Sequence, residues 1–235
     1  MAARVGNVRN FMETRRKFIK KTIGLVSGIS IFFSPFFGVI RSIYAKTRKI
    51  VLPKLTKMKS LVNKNPADLD TRNLEIIPLK DFETMGVTDY EVSLVDWRLE
   101  ITGHVKTPLA LRYEEVLAMP SIERNILLIC PGIFANHGTW KGISIQDLIK
   151  MAGAKYGATH ITVEGSEGPY EKLQRYPIAD IFSDKVFLAY HVNGKQLPQK
   201  HGFPLRVVAE GYYGYDWIKY VYKVTVDKIE EPLAG

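Results

Sequence analysis

The single cysteine of this 235-residue chain, Cys130, stands at the end of a strongly apolar run. Residues 124–130 are Arg-Asn-Ile-Leu-Leu-Ile-Cys, and Pro131 and Gly132 follow at once, a pair that ends strands. The run predicts a buried strand that brings one thiol to a strand-to-loop turn. Because no second cysteine is available for an intramolecular disulfide, Cys130 is a metal ligand, a nucleophile or a small buried apolar group.

The positive charge of the chain is concentrated at its N-terminus. The full sequence has a formal net charge of +9 at pH 7. Residues 1–45 contain eight Lys/Arg and one acidic residue, which gives +7, so residues 46–235 carry only +2. A nucleic-acid-binding protein places its basic patch on the folded domain. The charge therefore does not indicate a nucleic-acid partner.

Residues 1–45 have the layout of an export signal. A basic block that ends at Lys21 precedes an apolar stretch from Ile23 to Ile40. The pair Arg15-Arg16 within that block resembles the twin-arginine class of signal, which carries folded proteins across a membrane. We expect residues 1–45 to be a twin-arginine-type export signal or, if uncleaved, an N-terminal membrane anchor. Either case places the protein in the periplasm, where an unpaired thiol is unusual unless it is bound.

The remainder divides into an arm and a domain. Residues 46–75 are polar and rich in lysine, and we expect a linker or arm with little core of its own. Residues 76–235 mix strand and helix patterns, which predicts an α+β fold with a mixed β-sheet core and short helices. The patterns predict strands at 97–103, 124–130, 159–164, 186–192, 195–197, 204–208 and 219–226, and helices at 111–119 and 144–151.

Three segments after the cysteine strand contain the candidate site residues. Arginine presents a fork of N–H donors to a phosphate, and lysine and histidine add a charge and a directed hydrogen bond. A thiolate suits a soft or high-valent metal. Together they indicate an anion held beside a metal. The segments supply Asn136 and His137 on what we expect to be a loop, His201 and Arg206 in the second segment, and Tyr213, Gly214 and Lys219 in the third.

These elements, in this order, resemble the molybdopterin-binding domain of the sulfite oxidase fold, and within it the smaller exported bacterial enzymes such as the methionine sulfoxide reductase catalytic subunit. The resemblance covers residues 76–228. It rests on a single cysteine at a strand end, a His-x-x-Pro-x-Arg element from His201 to Arg206, and a glycine turn leading to Lys219.

The resemblance implies a role for the matched residues. Cys130 would ligate the molybdenum of Mo-molybdopterin, and His201, Arg206, Gly214 and Lys219 would hold the cofactor. From their position in the segments that should form the pocket, we also expect Asn136 to bind the cofactor and His137 and Tyr213 to take part in catalysis. Electrons would be exchanged with a separate haem or quinone-linked protein, in solution or in the membrane, because the chain has no haem-attachment motif.

Departures from the family pattern bear on the substrate. Sulfite oxidases follow the cysteine with a small residue, Gly, Asn and Arg, whereas residues 131–134 here are Pro-Gly-Ile-Phe. Reduction of an S-oxide or N-oxide is therefore favoured over sulfite oxidation. Two alternatives remain open: a non-catalytic binding module that keeps the fold, and a thiol enzyme that uses Cys130 as nucleophile with His137 or His201 as base.

Overall fold

The computed structural model describes residues 49–165 and 172–228, and the predicted export signal over residues 1–45 lies outside them. None of the helices in these two ranges could span a membrane. The strands are β1 (Ile50–Val51), β2 (Leu69–Asp70), β3 (Leu99–Gly103), β4 (Leu109–Leu111), β5 (Ser121–Cys130), β6 (Phe134–Ile143), β7 (His160–Gly165), β8 (Lys172–Pro177), β9 (Val186–Val192), β10 (Lys195–Gln196), β11 (Arg206–Ala209) and β12 (Val221–Asp227). The α-helices are α1 (Tyr113–Leu117), α2 (Ile145–Met151) and α3 (Ile178–Phe182).

Two five-stranded sheets hold most of the strands. One has the order β10-β9-β6-β5, with β11 also paired to β9, and all of its pairs are antiparallel. The other has the order β4-β3-β12-β7-β8 and contains one parallel pair, β3 with β12. Short helices connect the strands, so the predicted α+β fold with a mixed sheet is confirmed.

The β5–β6 hairpin corrects the expected loop after Cys130. Only residues 131–133 form the turn, and the two strands pair without a register shift from Cys130↔Phe134 to Ser121↔Ile143. Asn136 and His137 therefore lie in a strand. The sequence hides this strand because β6 contains glycine, which is uncommon in strands. At Gly142 the glycine is required, since an added Cβ would lie 1.8 Å from the carbonyl oxygen of Leu188.

The described part of the arm, residues 49–75, packs against this hairpin. Its leucines form a second apolar cluster with the face of β5 and β6 that points away from the main core. The arm therefore buries more apolar side chains than its composition predicts. The sequence pattern does not indicate this, because the apolar residues of the arm are spaced too widely to resemble a strand or helix. The buried members of this cluster are Leu52, Leu61, Leu69, Leu74, Leu127, Ile129 and Ala135.

Candidate active site

A pocket opens at the end of β5, where Cys130 lies. Its wall combines the ends of several strands with residues 83–87, which precede β3 and which we call the strap. The lining residues are Glu83, Thr84, Met85, Gly86, Val87, Leu128, Cys130, Phe134, Asn136, Lys172, Arg206, Gly214, Tyr215, Trp217, Lys219 and Tyr220. Five predicted site residues are thus brought together: Cys130, Asn136, Arg206, Gly214 and Lys219.

Cys130 is held at the pocket wall by a tightly bonded turn. Its carbonyl accepts a hydrogen bond from the amide of Ile133 at 3.0 Å, and the amide of Gly132 donates to the carbonyl of Val62 in the arm at 3.0 Å. A Cβ on Gly214 would lie 3.2 Å from the carbonyl oxygen of Ile129, so glycine lets the two chain segments approach. Burial raises the pKa of the Cys130 thiol, and Lys172 partly opposes this effect.

Arg206 is a buried cation at the base of the pocket, with 5% of its surface exposed. Its guanidinium lies over the rings of Trp140 and Trp217, 5.2 and 5.5 Å from their centroids, and donates from Nη1 to the carbonyl of His201 at 3.0 Å. Burial lowers its pKa to about 10, so it is still charged at neutral pH. Its Nε has no hydrogen-bond partner within the described residues.

Lys219 lies on the strap side of the pocket. Its ammonium donates to the carbonyl of Lys200 at 3.2 Å, to Thr84 Oγ1 at 3.4 Å, and to the carbonyl of Val87. Burial lowers its pKa to about 8, and the charges of Arg206 and Lys172 act in the same direction. A second cation therefore faces the same pocket as Arg206.

His201 is buried beside these two cations, although it is not among the residues that line the pocket. Burial, followed by the charges of Arg206, Lys200 and Lys219, lowers its pKa to about 4, so the ring is neutral at pH 7. Its Nε2 is buried with no partner within the described part of the chain. Gly202 follows in the left-handed region, at φ 106°, and permits close contact with Lys219.

Asn136 joins the strap to β6. Its side-chain amide donates to the carbonyl of Glu83 at 2.8 Å and accepts from the amide of Glu83 at 3.2 Å. With 3% of its surface exposed, Asn136 has its hydrogen-bonding groups engaged by the strap. It therefore positions part of the wall rather than presenting a free amide.

Two residues predicted for catalysis do not face the pocket. His137 is on the opposite side of β6, where its Nδ1 donates to the carbonyl of Glu75 in the arm at 3.0 Å. Tyr213 packs against the second apolar cluster and stacks on Tyr215, with centroids 5.5 Å apart. Side chains alternate between the two faces of a strand, so His137 turns away when Asn136 faces the pocket. Tyr215, not Tyr213, lines the pocket.

The pocket also contains residues that the sequence did not single out. Lys172 begins β8, and its ammonium donates to the carbonyl of Tyr215. Glu83 lines the pocket from the strap, and Met85 is exposed there. No motif marks these positions, because only the folded chain brings β8 and the strap to Cys130.

These groups fit an anionic, metal-bearing cofactor. Arg206 forms no ion pair within the described residues and has an unused buried N–H, a costly arrangement for a charge unless an anion binds there. The thiol of Cys130 lines the same pocket and supplies a ligand atom for a metal. The pocket thus offers one sulfur ligand and adjacent cations for a phosphate.

Comparison with known proteins decides the family. The family described as "Oxidoreductase molybdopterin binding domain" matches residues 85–233, more than half of the chain. The chain belongs to this family. Molybdopterin is accordingly its cofactor, and the domain is a molybdenum oxidoreductase domain of the sulfite oxidase fold.

Relatives of known sequence and structure support the same assignment. The chain is 30% identical to the uncharacterized oxidoreductase YuiH of Bacillus subtilis, over 63% of this chain and 73% of that protein. It is 30% identical to the protein-methionine-sulfoxide reductase catalytic subunit MsrP of Gluconobacter oxydans, over 58% and 48%. It also resembles the sulfane dehydrogenase SoxCD of Paracoccus pantotrophus, with a TM-score of 0.56 and 25% identity over 60% and 40%.

The same domain occurs inside larger enzymes. The chain is 31% identical to the NADH nitrate reductase of Volvox carteri over 57% of its own length but only 19% of that protein. The family is thus shared by proteins whose names give different substrates.

Proposed function

We propose that this protein is an exported enzyme that removes an oxygen atom from a small S-oxide or N-oxide. The observation that carries the proposal is the convergence of Cys130, Arg206 and Lys219 in one pocket. The bound cofactor supplies two-electron oxygen-atom exchange at molybdenum. The overall reaction consumes the oxide, two electrons and two protons and gives the reduced compound and water.

The chain's own residues would divide the remaining work. Arg206, Lys219 and the neutral His201 would bind and orient the cofactor. Gly214 has no side chain, so its segment can lie close to the strand end that carries Cys130. Glu83 is the one carboxylate among the described lining residues, and it lies on a strap whose backbone is fixed by Asn136.

Two observations favour reduction of an oxide. The similarity to a methionine sulfoxide reductase subunit supports this direction. Sulfite oxidases have an arginine soon after the cysteine, and residues 131–134 of this chain contain none. This difference disfavours sulfite as the substrate. The electrons would come from a separate haem or quinone-linked protein in the periplasm or its membrane, which fits the twin-arginine-type leader in residues 1–45.

The alternative of a thiol enzyme is less well supported. Neither His137 nor His201 lines the pocket with Cys130, so neither imidazole is placed there as a base. Burial also raises the pKa of the thiol, the opposite of what a cysteine nucleophile needs. A non-catalytic module predicts that the pocket stays empty when the protein is made in the presence of the cofactor.

The test begins with protein made in a host that synthesises molybdopterin. We expect close to one molybdenum and one pterin per chain, resistance of Cys130 to iodoacetamide, and reduction of S-oxides or N-oxides by a reduced dye. A folded product without molybdenum or pterin would contradict the proposal. Rapid alkylation of Cys130 in a protein that still turns over substrate would favour the thiol enzyme. A molybdenum-loaded protein that oxidises sulfite but reduces no oxide would show that the reaction runs as an oxidation and not as the proposed reduction.

A further inference from the structure

Lys172 makes fewer hydrogen bonds than Lys219 and is less buried than Arg206, the other two cations of the pocket. Arg206 is buried between two indole rings and bonded to a carbonyl, and Lys219 donates to two carbonyls and a hydroxyl. Lys172 donates to one carbonyl, that of Tyr215, and is exposed. An ammonium has three N–H donors, so two of them remain for a ligand that enters the pocket.

The charges around Lys172 leave room for an anion. Lys172 forms no ion pair within the described residues. Three cations line the pocket against one carboxylate, Glu83. Loss of hydration on the pocket wall lowers the pKa of Lys172, the carboxylate of Asp216 opposes this most, the charge of Arg206 adds to it, and Cys130 opposes it. An anion bound beside Lys172 would act in the same direction as Asp216 and stabilise the charged ammonium.

The mouth beside Lys172 is apolar. Met85 and Tyr215 have 55% of their surfaces exposed there, and Leu128 and Phe134 lie deeper next to Cys130. A substrate with a short alkyl group and one charged end matches this combination, because the alkyl part contacts the apolar wall while the charge reaches the ammonium.

We propose that Lys172 is the specificity-determining residue of the pocket and selects sulfoxides that carry a carboxylate close to the sulfinyl group. This inference rests on the proposed function and names the substrate class for that site. Lys172 differs from the groups assigned to the cofactor, since it begins β8 and is exposed, whereas Arg206 is buried and Lys219 donates to the strap carbonyl of Val87.

The decisive experiment compares two substrates that differ only in charge, methylsulfinylacetate and methylsulfinylacetamide, with molybdenum-loaded full-length protein. We expect the KM of the acetate to be lower by at least about tenfold, which is the range of a hydrogen bond to a charged group. Lys172→Met should raise the KM of the acetate by about tenfold and leave that of the acetamide within about twofold, with kcat little changed. Lys172→Arg should keep the preference.

Two controls separate specificity from folding and cofactor loading. Lys195→Met removes an exposed lysine that does not line the pocket and should leave both KM values unchanged. Pterin and molybdenum content should be equal in all variants. Calorimetric binding of methylthioacetate, the product, provides a readout without turnover, and Lys172→Met should weaken it by about tenfold.

The outcomes distinguish this inference from the proposed function. If both sulfoxides are reduced with equal KM values and Lys172→Met changes neither, Lys172 does not select the substrate, although oxide reduction stands. If neither sulfoxide is reduced by loaded protein, sulfoxide reduction fails. In that case weakened product binding in Lys172→Met would still support the carboxylate site, and unchanged binding would overturn it.

Discussion

The two faces of the β5–β6 hairpin serve different purposes although their residues alternate along the same strands. On one face Leu128, Cys130, Phe134 and Asn136 line the pocket. On the other, Leu127, Ile129, Ala135 and His137 meet the arm over residues 49–75. The register places residues of one face opposite each other, as in Cys130↔Phe134 and Leu128↔Asn136.

Residues that line the pocket alternate along these strands with residues that anchor the strand on the arm. Each pocket residue has a neighbour in the chain that anchors the strand from behind. The arm closes the back face with buried leucines and accepts a hydrogen bond from the turn after Cys130 through Val62. Changes on the pocket face should therefore alter function, whereas changes on the back face should mainly alter stability.

The largest effect is expected at Cys130. Cys130→Ser replaces the sulfur ligand by a hydroxyl, and kcat/KM should fall by more than about 100-fold, because even residues beyond the metal ligands contribute 10–100-fold. Its molybdenum signal should also change in electron paramagnetic resonance. Ile129→Val on the back face is the control and should keep activity while costing about 1 kcal/mol of unfolding free energy. Normal turnover by Cys130→Ser would remove the distinction between the faces.

The second prediction tests the back face through the arm. Leu61 has 2% of its surface exposed and Leu55 has 82%. Leu61→Ala should lower the free energy of unfolding by about 2–4 kcal/mol because it leaves a cavity, and Leu55→Ala should change it by less than about 0.5 kcal/mol. Urea unfolding followed by circular dichroism measures both. Equal effects of the two substitutions would mean that the arm is not packed on the hairpin.

The third prediction uses the pKa of His201, about 4 against 6.5 for an ordinary histidine. Because the unfolded chain binds the proton more readily, the stabilising contribution is complete above pH 6.5 and is lost as the pH falls towards 4. The difference corresponds to about 3 kcal/mol in cofactor-free protein. Urea titrations at a series of pH values should show this loss, and His201→Gln should flatten the curve. An unchanged curve in His201→Gln would contradict the burial of a neutral ring.

The smallest effect on activity is expected for His137. Burial also lowers the pKa of this histidine, but its ring contacts the arm rather than the pocket. His137→Gln should leave kcat/KM within about threefold of wild type and cost about 1 kcal/mol of stability through the bond to Glu75. Steady-state kinetics with equal cofactor loading measures the first quantity. A loss of activity like that of Cys130→Ser would return His137 to the catalytic residues.

The sequence determined more of the fold than of the site. The apolar runs at 124–130, 186–192 and 219–226 predicted β5, β9 and β12, because strand periodicity and turn residues are local signals. The strand β6 was missed because its glycines and polar residues resemble a loop. Its extended state is imposed by pairing with β5 on one side and β9 on the other, and such pairing is a long-range contact that no local pattern contains.

Local patterns place one thiol at the end of a buried strand, with arginine and lysine following in an order typical of molybdopterin-binding domains. Which side chains share a pocket depends on the tertiary structure. It turned His137 and Tyr213 away and brought Lys172 and the strap residue Glu83 to Cys130. The physical reason is that strand register sets the face on which a residue lies, and the packing of distant segments sets what meets it there.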